Sequence, residues 1–113
     1  HGEMINRRIN WKINLIYSTS VEQLESIRDG VKKYIIDSND FATDGDLDPV
    51  VRIVELGGSS IDLLVVAYAD PMGFAAFNKV KENLIFNIMK IVKDNKSEFA
   101  YPSTSLYVES MPK

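Results

Sequence analysis

The sequence predicts an α+β domain in which strands and helices follow the order β-α-β-β-α-β. Three observations support this prediction: two apolar stripes at helical spacing, short β-branched segments around them, and a glycine-rich corner between two such segments. The length of 113 residues is typical of one domain. Right-handed crossovers then give a ferredoxin-like sandwich, an antiparallel sheet with both helices on one face.

The first strand is predicted from apolar residues that alternate with polar ones over positions 9–17. This period of two is typical of a strand with one buried and one solvent-exposed face. Two overlapping capping boxes are available to begin the first helix, Thr19 with Glu22 or Ser20 with Gln23. The apolar stripe of that helix consists of Val21, Leu24, Ile27, Val31, Tyr34 and Ile35.

Residues 37–49 predict an acidic loop, because they are polar, contain glycine and end in proline. A calcium loop would need a glycine after its third ligand and a closing bidentate glutamate. Pro49 follows Asp48 instead, so a solvated turn is favoured, with weak divalent binding left open. The aspartates of this stretch are Asp37, Asp40, Asp44, Asp46 and Asp48.

The next two strands are predicted over residues 50–56 and 61–68, which are short and β-branched. The corner between them is Gly57-Gly58-Ser59-Ser60. A phosphate-binding loop would lead into a helix and carry a lysine, whereas this corner leads into a strand. We therefore expect a hairpin in which Gly57 and Gly58 supply positive φ angles.

Asp70 and Pro71 predict the start of the second helix, as its N-cap and its first helical residue. The chain then predicts an extended piece over residues 99–101, which Pro102 breaks, and a last strand over residues 103–108. The apolar stripe of the second helix is Phe77, Val80, Leu84, Ile88 and Ile91, widened by Phe74, Ile85 and Val92.

Composition excludes several kinds of chemistry. The chain has no cysteine and a single histidine, His1, so thiolate nucleophiles, zinc–thiolate sites and Ser-His-Asp catalysis are not expected. Residues 1–4 look like a cloning remnant. The central apolar run of residues 63–69 is far shorter than the roughly 20 residues of a membrane helix. We expect no catalytic residue, cofactor or metal, and a soluble chain.

The charge argues against binding to nucleic acid, because the net charge is −3 and the pI is about 5.1. The same element order occurs in RNA-recognition modules, and Tyr68 and Tyr107 could stack on bases. The acidic balance and the lack of an RNP-like run nevertheless argue against RNA.

A covered sheet face is the third candidate site, after the corner and the acidic loop. On the third strand, Ile61, Leu63, Val65 and Ala67 can face the helices. Leu64, Val66 and Tyr68 then share the opposite face with Asp62, where a solvated sheet would be polar. These apolar residues suggest that a subunit, a domain or a ligand covers the face. Scattered exposed apolar groups are nevertheless common. A shift of one residue in strand register would also exchange the two faces.

Several short motifs, in order, resemble the C-terminal cytoplasmic domain of small-conductance mechanosensitive ion channels. A strand ends in tyrosine before a threonine-capped helix, Asp-Pro precedes a valine-rich strand, and a Gly-x-Ser-Ser hairpin precedes an aliphatic strand. The chain closes on Glu-Phe-Ala-aromatic-Pro at residues 98–102. The matching stretches are RRINWKINLIYSTSVEQLESI, DPVVRIVELGGSSIDLLVVAYA and EFAYPSTSLYVE.

The resemblance implies a part of a channel rather than an enzyme. Such channels form rings, usually of seven chains, around a tension-opened pore, and their C-terminal domains build a cytoplasmic vestibule at the inner membrane that admits ions and small solutes. It implies that residues 5–8 end an upstream β-domain or linker, that residues 9–109 form the vestibule domain, and that residues 110–113 are a tail. The candidate interface residues are Leu64, Val66, Tyr68, Tyr101 and Tyr107.

A different class of function remains open, a small-molecule-sensing regulatory module of ferredoxin-like fold. This hypothesis rests on fold analogy alone. A saturable ligand site would favour it over the channel hypothesis.

Overall fold

The computed structural model describes residues 6–100. It contains one antiparallel sheet and two long helices, which confirms the predicted α+β class. The predicted last strand over residues 103–108, which contains Tyr107, lies outside the described residues, as do Tyr101 and Pro102. The elements are β1 Arg7–Leu15, α1 Val21–Asp37, a 3-10 turn Gly45–Leu47, β2 Val50–Leu56, β3 Ile61–Ala69 and α2 Phe74–Asp94.

The sheet has the order β1-β3-β2, so β3 is its central strand. Trp11 and Val51 both pair with Val65, one from each side. β1 begins at Arg7, two residues earlier than the alternation in the sequence predicts. β2 contains a β-bulge, because its register to β3 shifts between Ile53 and Glu55 and leaves Val54 without a partner.

The outer edge of β1 is occupied at one end by the chain that follows α2. Phe99 forms an antiparallel bridge with Leu15, and the N–H of Ala100 donates to the carbonyl of Asn14 at 2.7 Å. The predicted extended piece is therefore confirmed at Phe99. This pairing places Phe99 and Ala100 at the edge of the sheet opposite to β2.

The first helix uses the second of the two predicted capping boxes. Ser20 accepts a hydrogen bond from the backbone of Gln23, whose side chain accepts one from the Ser20 N–H at 2.7 Å. Thr19 is buried instead. Its hydroxyl donates to the carbonyl of Ile16 and lies 2.7 Å from the hydroxyl of Ser97, beyond the end of α2.

The predicted start of the second helix is wrong by three residues. Asp70 continues from β3, where its N–H donates to the carbonyl of Asp40 at 2.8 Å, and this strand-like pairing keeps it out of the helix. Pro71 lies in the connection, and α2 begins after Gly73, which is the N-cap. The carbonyl of Gly73 accepts the first helical hydrogen bond, from Phe77.

The hairpin at the glycine corner is confirmed, but the predicted reason for it is wrong. Neither Gly57 nor Gly58 has a positive φ, and Gly45 is the only described glycine that does. The corner is closed by the N–H of Gly57, which donates to the carbonyl of Ser60 at 2.8 Å. The loop is thus wide enough to turn without the left-handed backbone of the tightest hairpins.

Both helices pack on one face of the sheet and share one core with it. Gly30 of α1 lies against Ile91 of α2, where an added Cβ would be 3.3 Å from the isoleucine side chain. At the β1 side, the Arg7 guanidinium stacks over the ring of Phe77 of α2, 5.4 Å from its centre. The residues buried completely are Leu15, Ile27, Val31, Ile35, Leu63, Val65, Ala67, Ala69 and Leu84.

Candidate functional site

The open face of the sheet carries the predicted interface residues of β3. Leu63 and Val65 are buried completely on the helix side, so the predicted register is confirmed and Leu64, Val66 and Tyr68 share the opposite face. Val66 is only 8% exposed, whereas Leu64 and Tyr68 are half-buried. Whether a second chain covers these residues stays a prediction.

Side chains of the flanking strands already shield much of this face. Val66 lies between Asn10 of β1 and Val50 of β2. Lys12 and Glu55 form an ion pair of 3.6 Å whose partners stand on the two strands that flank β3. Side chains of β1 and β2 therefore cover part of the apolar surface formed by Leu64, Val66 and Tyr68. The exposed apolar area on this face is smaller than the sequence suggests.

A polar cluster closes the hairpin end of the same face. Asp62 is 7% exposed, and its Oδ1 accepts hydrogen bonds from Asn14 Nδ2 at 2.6 Å and from Ser60 Oγ at 2.8 Å. Two donors satisfy this carboxylate, which makes it a fixed structural acceptor. Of the predicted corner residues, Ser60 thus has a specific contact, while Gly58 and Ser59 are exposed.

Shifted pKa values are grouped on α1. Side-chain hydrogen bonding to Arg28 lowers the pKa of Asp29, and the same kind of bond to Asp37 raises the pKa of Lys33. Burial raises the pKa of Tyr34. These are surface ion pairs and one half-buried ring on a helix, an arrangement typical of structural rather than catalytic perturbation.

The acidic loop does not assemble a metal centre in the part of the chain that the structure describes. No three carboxylates or histidines among residues 6–100 come together as ligands. Asp44 begins the 3-10 turn and Asp48 ends it, and both are exposed. The alternation of aspartates in the sequence therefore produces a solvated turn.

A cleft lies at the C-terminal end of α2, where sequence reasoning placed no site. It has a volume of about 330 Å³, and Ser97, one of its lining residues, belongs to the buried hydroxyl pair with Thr19. The remaining lining residues are Met89, Val92, Lys93, Glu98 and Phe99.

The largest exposed apolar side chains lie elsewhere than predicted. One group, the α2 flank, consists of Ile85, Phe86, Met89 and Phe99. A second group, the β2 edge, consists of Val50, Val54 and Leu56. The signal was present for Phe86 and Met89, which fall outside the helical stripe that predicts the core. It was absent for Ile85, which the sequence places in that stripe but which is exposed. The β2 edge carried no such signal: Val50 pairs with Val66 and shares the open face, and only Val54 lies at the bulge.

Comparison with known proteins gives a match over most of the described chain. Residues 9–99 match the family model described as the C-terminal part of the mechanosensitive ion channel MscS. The chain belongs to the MscS family of mechanosensitive ion channels. The predicted resemblance is thereby confirmed, and the matched segment is the C-terminal domain of the family.

Relatives of known sequence agree with this assignment. An uncharacterized MscS family protein of Aquifex aeolicus is 36% identical over 107 residues, which cover 95% of this chain and 28% of that protein. The low conductance mechanosensitive channel YnaI of Escherichia coli is 26% identical over 97% of this chain and 31% of its own length. The chain thus spans about a third or less of these MscS relatives.

Solved structures show the same fold. The cryo-EM structure of Arabidopsis thaliana MSL1 matches with a TM-score of 0.78 at 16% identity, over 89% of this chain and 35% of that one. The closed-state crystal structure of Helicobacter pylori MscS matches with a TM-score of 0.62 at 21% identity, over 85% of this chain and 35% of that one. Among residues 6–100 of the present MscS family chain, no helix has the length and apolar character needed to cross a bilayer.

Proposed function

We propose that this domain forms part of the wall of a cytoplasmic vestibule, in a ring of identical chains below a tension-gated pore. The match of residues 9–99 to the C-terminal domain of a channel family carries this proposal. The domain acts as a structural part of a channel rather than as an enzyme. It lies on the cytoplasmic side of the membrane, to which an upstream part of the full-length protein anchors it.

The open sheet face supports this role. Leu64 and Tyr68 remain half-buried within one chain, so a neighbour in the ring can complete their burial. The interface candidates Tyr101 and Tyr107 belong to the same proposal. Such a wall needs a rigid core and lateral contacts, and one continuous core joins the sheet to both helices.

The test is survival of osmotic downshock by bacteria that lack their own mechanosensitive channels. The full-length protein should restore survival and give tension-activated currents in excised patches. Leu63→Asp places an unpaired charge in the core and should abolish both, whereas Ser26→Asp on the exposed face of α1 should preserve both. A full-length gene without apolar segments of about 20 residues would refute the proposal.

The cleft at the end of α2 favours a second candidate, the small-molecule-sensing module. Its volume of about 330 Å³ is at the lower end of the range for ligand sites. Calorimetry with amino acids and nucleotides should detect saturable binding that Phe99→Ala weakens, if this candidate is correct. Absence of heat with every compound would count against it.

A further inference from the structure

The cleft at the C-terminal end of α2 combines an apolar wall with two opposite charges. Met89, Val92 and Phe99 form the apolar wall, and Met89 and Phe99 are exposed although both are large. Lys93 and Glu98 also line the cleft, and both are exposed. Concave sites with mainly apolar walls and a few charged groups are the usual form of a small-molecule site.

The segment that follows α2 is fixed in place by backbone hydrogen bonds. The N–H of Ile16 donates to the carbonyl of Glu98 at 3.1 Å, and the N–H of Ser97 donates to the carbonyl of Val92 at 3.1 Å. These bonds tie the segment to the chain after β1 and to the last turn of α2. The cleft is therefore formed before a ligand arrives, which lowers the entropy cost of binding.

The donors of Ser97 are already used within the chain. The Thr19 hydroxyl donates to the carbonyl of Ile16 at 2.7 Å, so the serine hydroxyl is the donor in the 2.7 Å contact between Thr19 and Ser97. The N–H of Ser97 is bonded to Val92. A carboxylate or phosphate would find no donor there, so the part of a ligand that lies against Ser97 and Val92 is apolar.

The charges of Lys93 and Glu98 favour a ligand that carries both signs. Neither residue forms an ion pair with another residue that the structure describes, so both are available to a ligand. A simple anion would be attracted by Lys93 but repelled by Glu98, and a simple cation would meet the reverse. A zwitterion is attracted by both.

The volume of the cleft limits the size of the ligand. A water molecule occupies about 30 Å³ in the liquid, so a volume of about 330 Å³ holds a ligand of about ten non-hydrogen atoms. Leucine and methionine have this size, whereas a nucleotide is far larger. A nucleotide would also need several cations for its phosphates, and Lys93 is the only cation among the described lining residues.

We propose that this cleft binds a free amino acid with an apolar side chain, such as leucine. The ligand side chain lies against Met89, Val92 and Phe99. The ligand carboxylate is bound by Lys93 and its ammonium group by Glu98. This inference rests on the second candidate function, the small-molecule-sensing module, and names the class of its ligand.

Saturation-transfer NMR on the full-length protein in detergent, with L-leucine as the probe, tests the site. The leucine methyl protons should be saturated more strongly than its α proton, because the side chain contacts the apolar wall. Lys93→Gln and Glu98→Gln should each weaken binding roughly fivefold, since each removes one exposed charge contact. Lys90→Gln is the matched control and should leave the affinity unchanged, because Lys90 is exposed on α2 but does not line the cleft.

Two leucine analogues test the charge contacts separately. N-acetyl-leucine lacks the ammonium group and leucinamide lacks the carboxylate, so each should bind roughly fivefold more weakly than leucine. Glu98→Gln should not weaken N-acetyl-leucine further, and Lys93→Gln should not weaken leucinamide further, because the contact in question is already absent. A further loss in either combination would overturn the assignment of the charges.

The remaining outcomes separate this inference from the function on which it rests. Absence of saturation transfer to leucine at up to about 10 mM would overturn the inference, as would equal affinities for leucine and both analogues. A loss from Lys90→Gln equal to that from Lys93→Gln would also overturn it. Binding of adenosine monophosphate in place of leucine would overturn the ligand class but keep the sensing module. Leucine binding without any effect on tension-activated currents would overturn only the sensing module.

Discussion

At the scale of single residues, Asp62 is a carboxylate buried on the open face of the sheet. It accepts hydrogen bonds from Asn14 and Ser60, which tie β1 and the hairpin corner to β3. Asp62→Ala should lower the free energy of unfolding by about 1–3 kcal/mol, because hydrogen bonds to a charged group are lost. Urea unfolding of the purified chain measures this change.

The control is Asp46→Ala, which removes an exposed carboxylate from the acidic loop. This variant should change stability by less than about 0.5 kcal/mol. Equal effects of the two variants would mean that the contacts of Asp62 do not stabilise the hairpin.

Residue-level prediction from sequence succeeded where a periodicity determines the answer. The alternation along β3 predicted that Leu63 faces the core and Leu64 the open side, since side chains alternate strictly in a strand. It failed at Asp70, because an N-cap preference is weaker than the backbone pairing of that residue with Asp40. Such pairing joins distant parts of the chain and leaves no local pattern.

At the scale of elements, the two helices approach each other closely at Gly30. An added Cβ would lie 3.3 Å from Ile91, so a larger side chain must displace α2 or adopt a strained rotamer. Gly30→Leu should therefore lower the free energy of unfolding by about 1–3 kcal/mol, despite the better helix propensity of leucine. Thermal and urea unfolding both measure the loss.

Gly58→Leu is the matched substitution, because an added Cβ at Gly58 meets no atom within 4 Å. Its effect should remain within about 0.5 kcal/mol. If Gly30→Leu proved as stable as the native chain, the close packing of α1 on α2 would be incorrect. The sequence showed Gly30 only as a weak point of a helix, since the reason for a glycine there lies on the other helix.

Across the whole molecule, side-chain truncation should cost more stability on the helix-covered face of the sheet than on the open face. Leu63 is buried completely, whereas its neighbour Leu64 is half-buried on the open face. Leu63→Ala should cost about 2–5 kcal/mol of stability, and Leu64→Ala less than about 1.5 kcal/mol. Denaturant titration of the two variants gives the comparison directly, and similar losses would contradict the assignment of the faces.

The architecture of residues 6–100 was predictable because several independent patterns agreed. Two helical stripes, two β-branched segments and the corner at residues 57–60 allow few arrangements once crossovers are right-handed. The exposed surfaces were less predictable. Phe86 and Met89 are apolar like the core residues, and only their place around α2 distinguishes them.

The bulge at Val54 limits the pairing of β2 with other chains during synthesis and storage. A regular edge strand offers a continuous row of backbone groups to any other extended chain, which is a common route to fibril growth. The register shift between Ile53 and Glu55 interrupts that row in the middle of β2. The exposed side chain of Val54 therefore lies where the backbone is least able to pair with another chain and template misfolding.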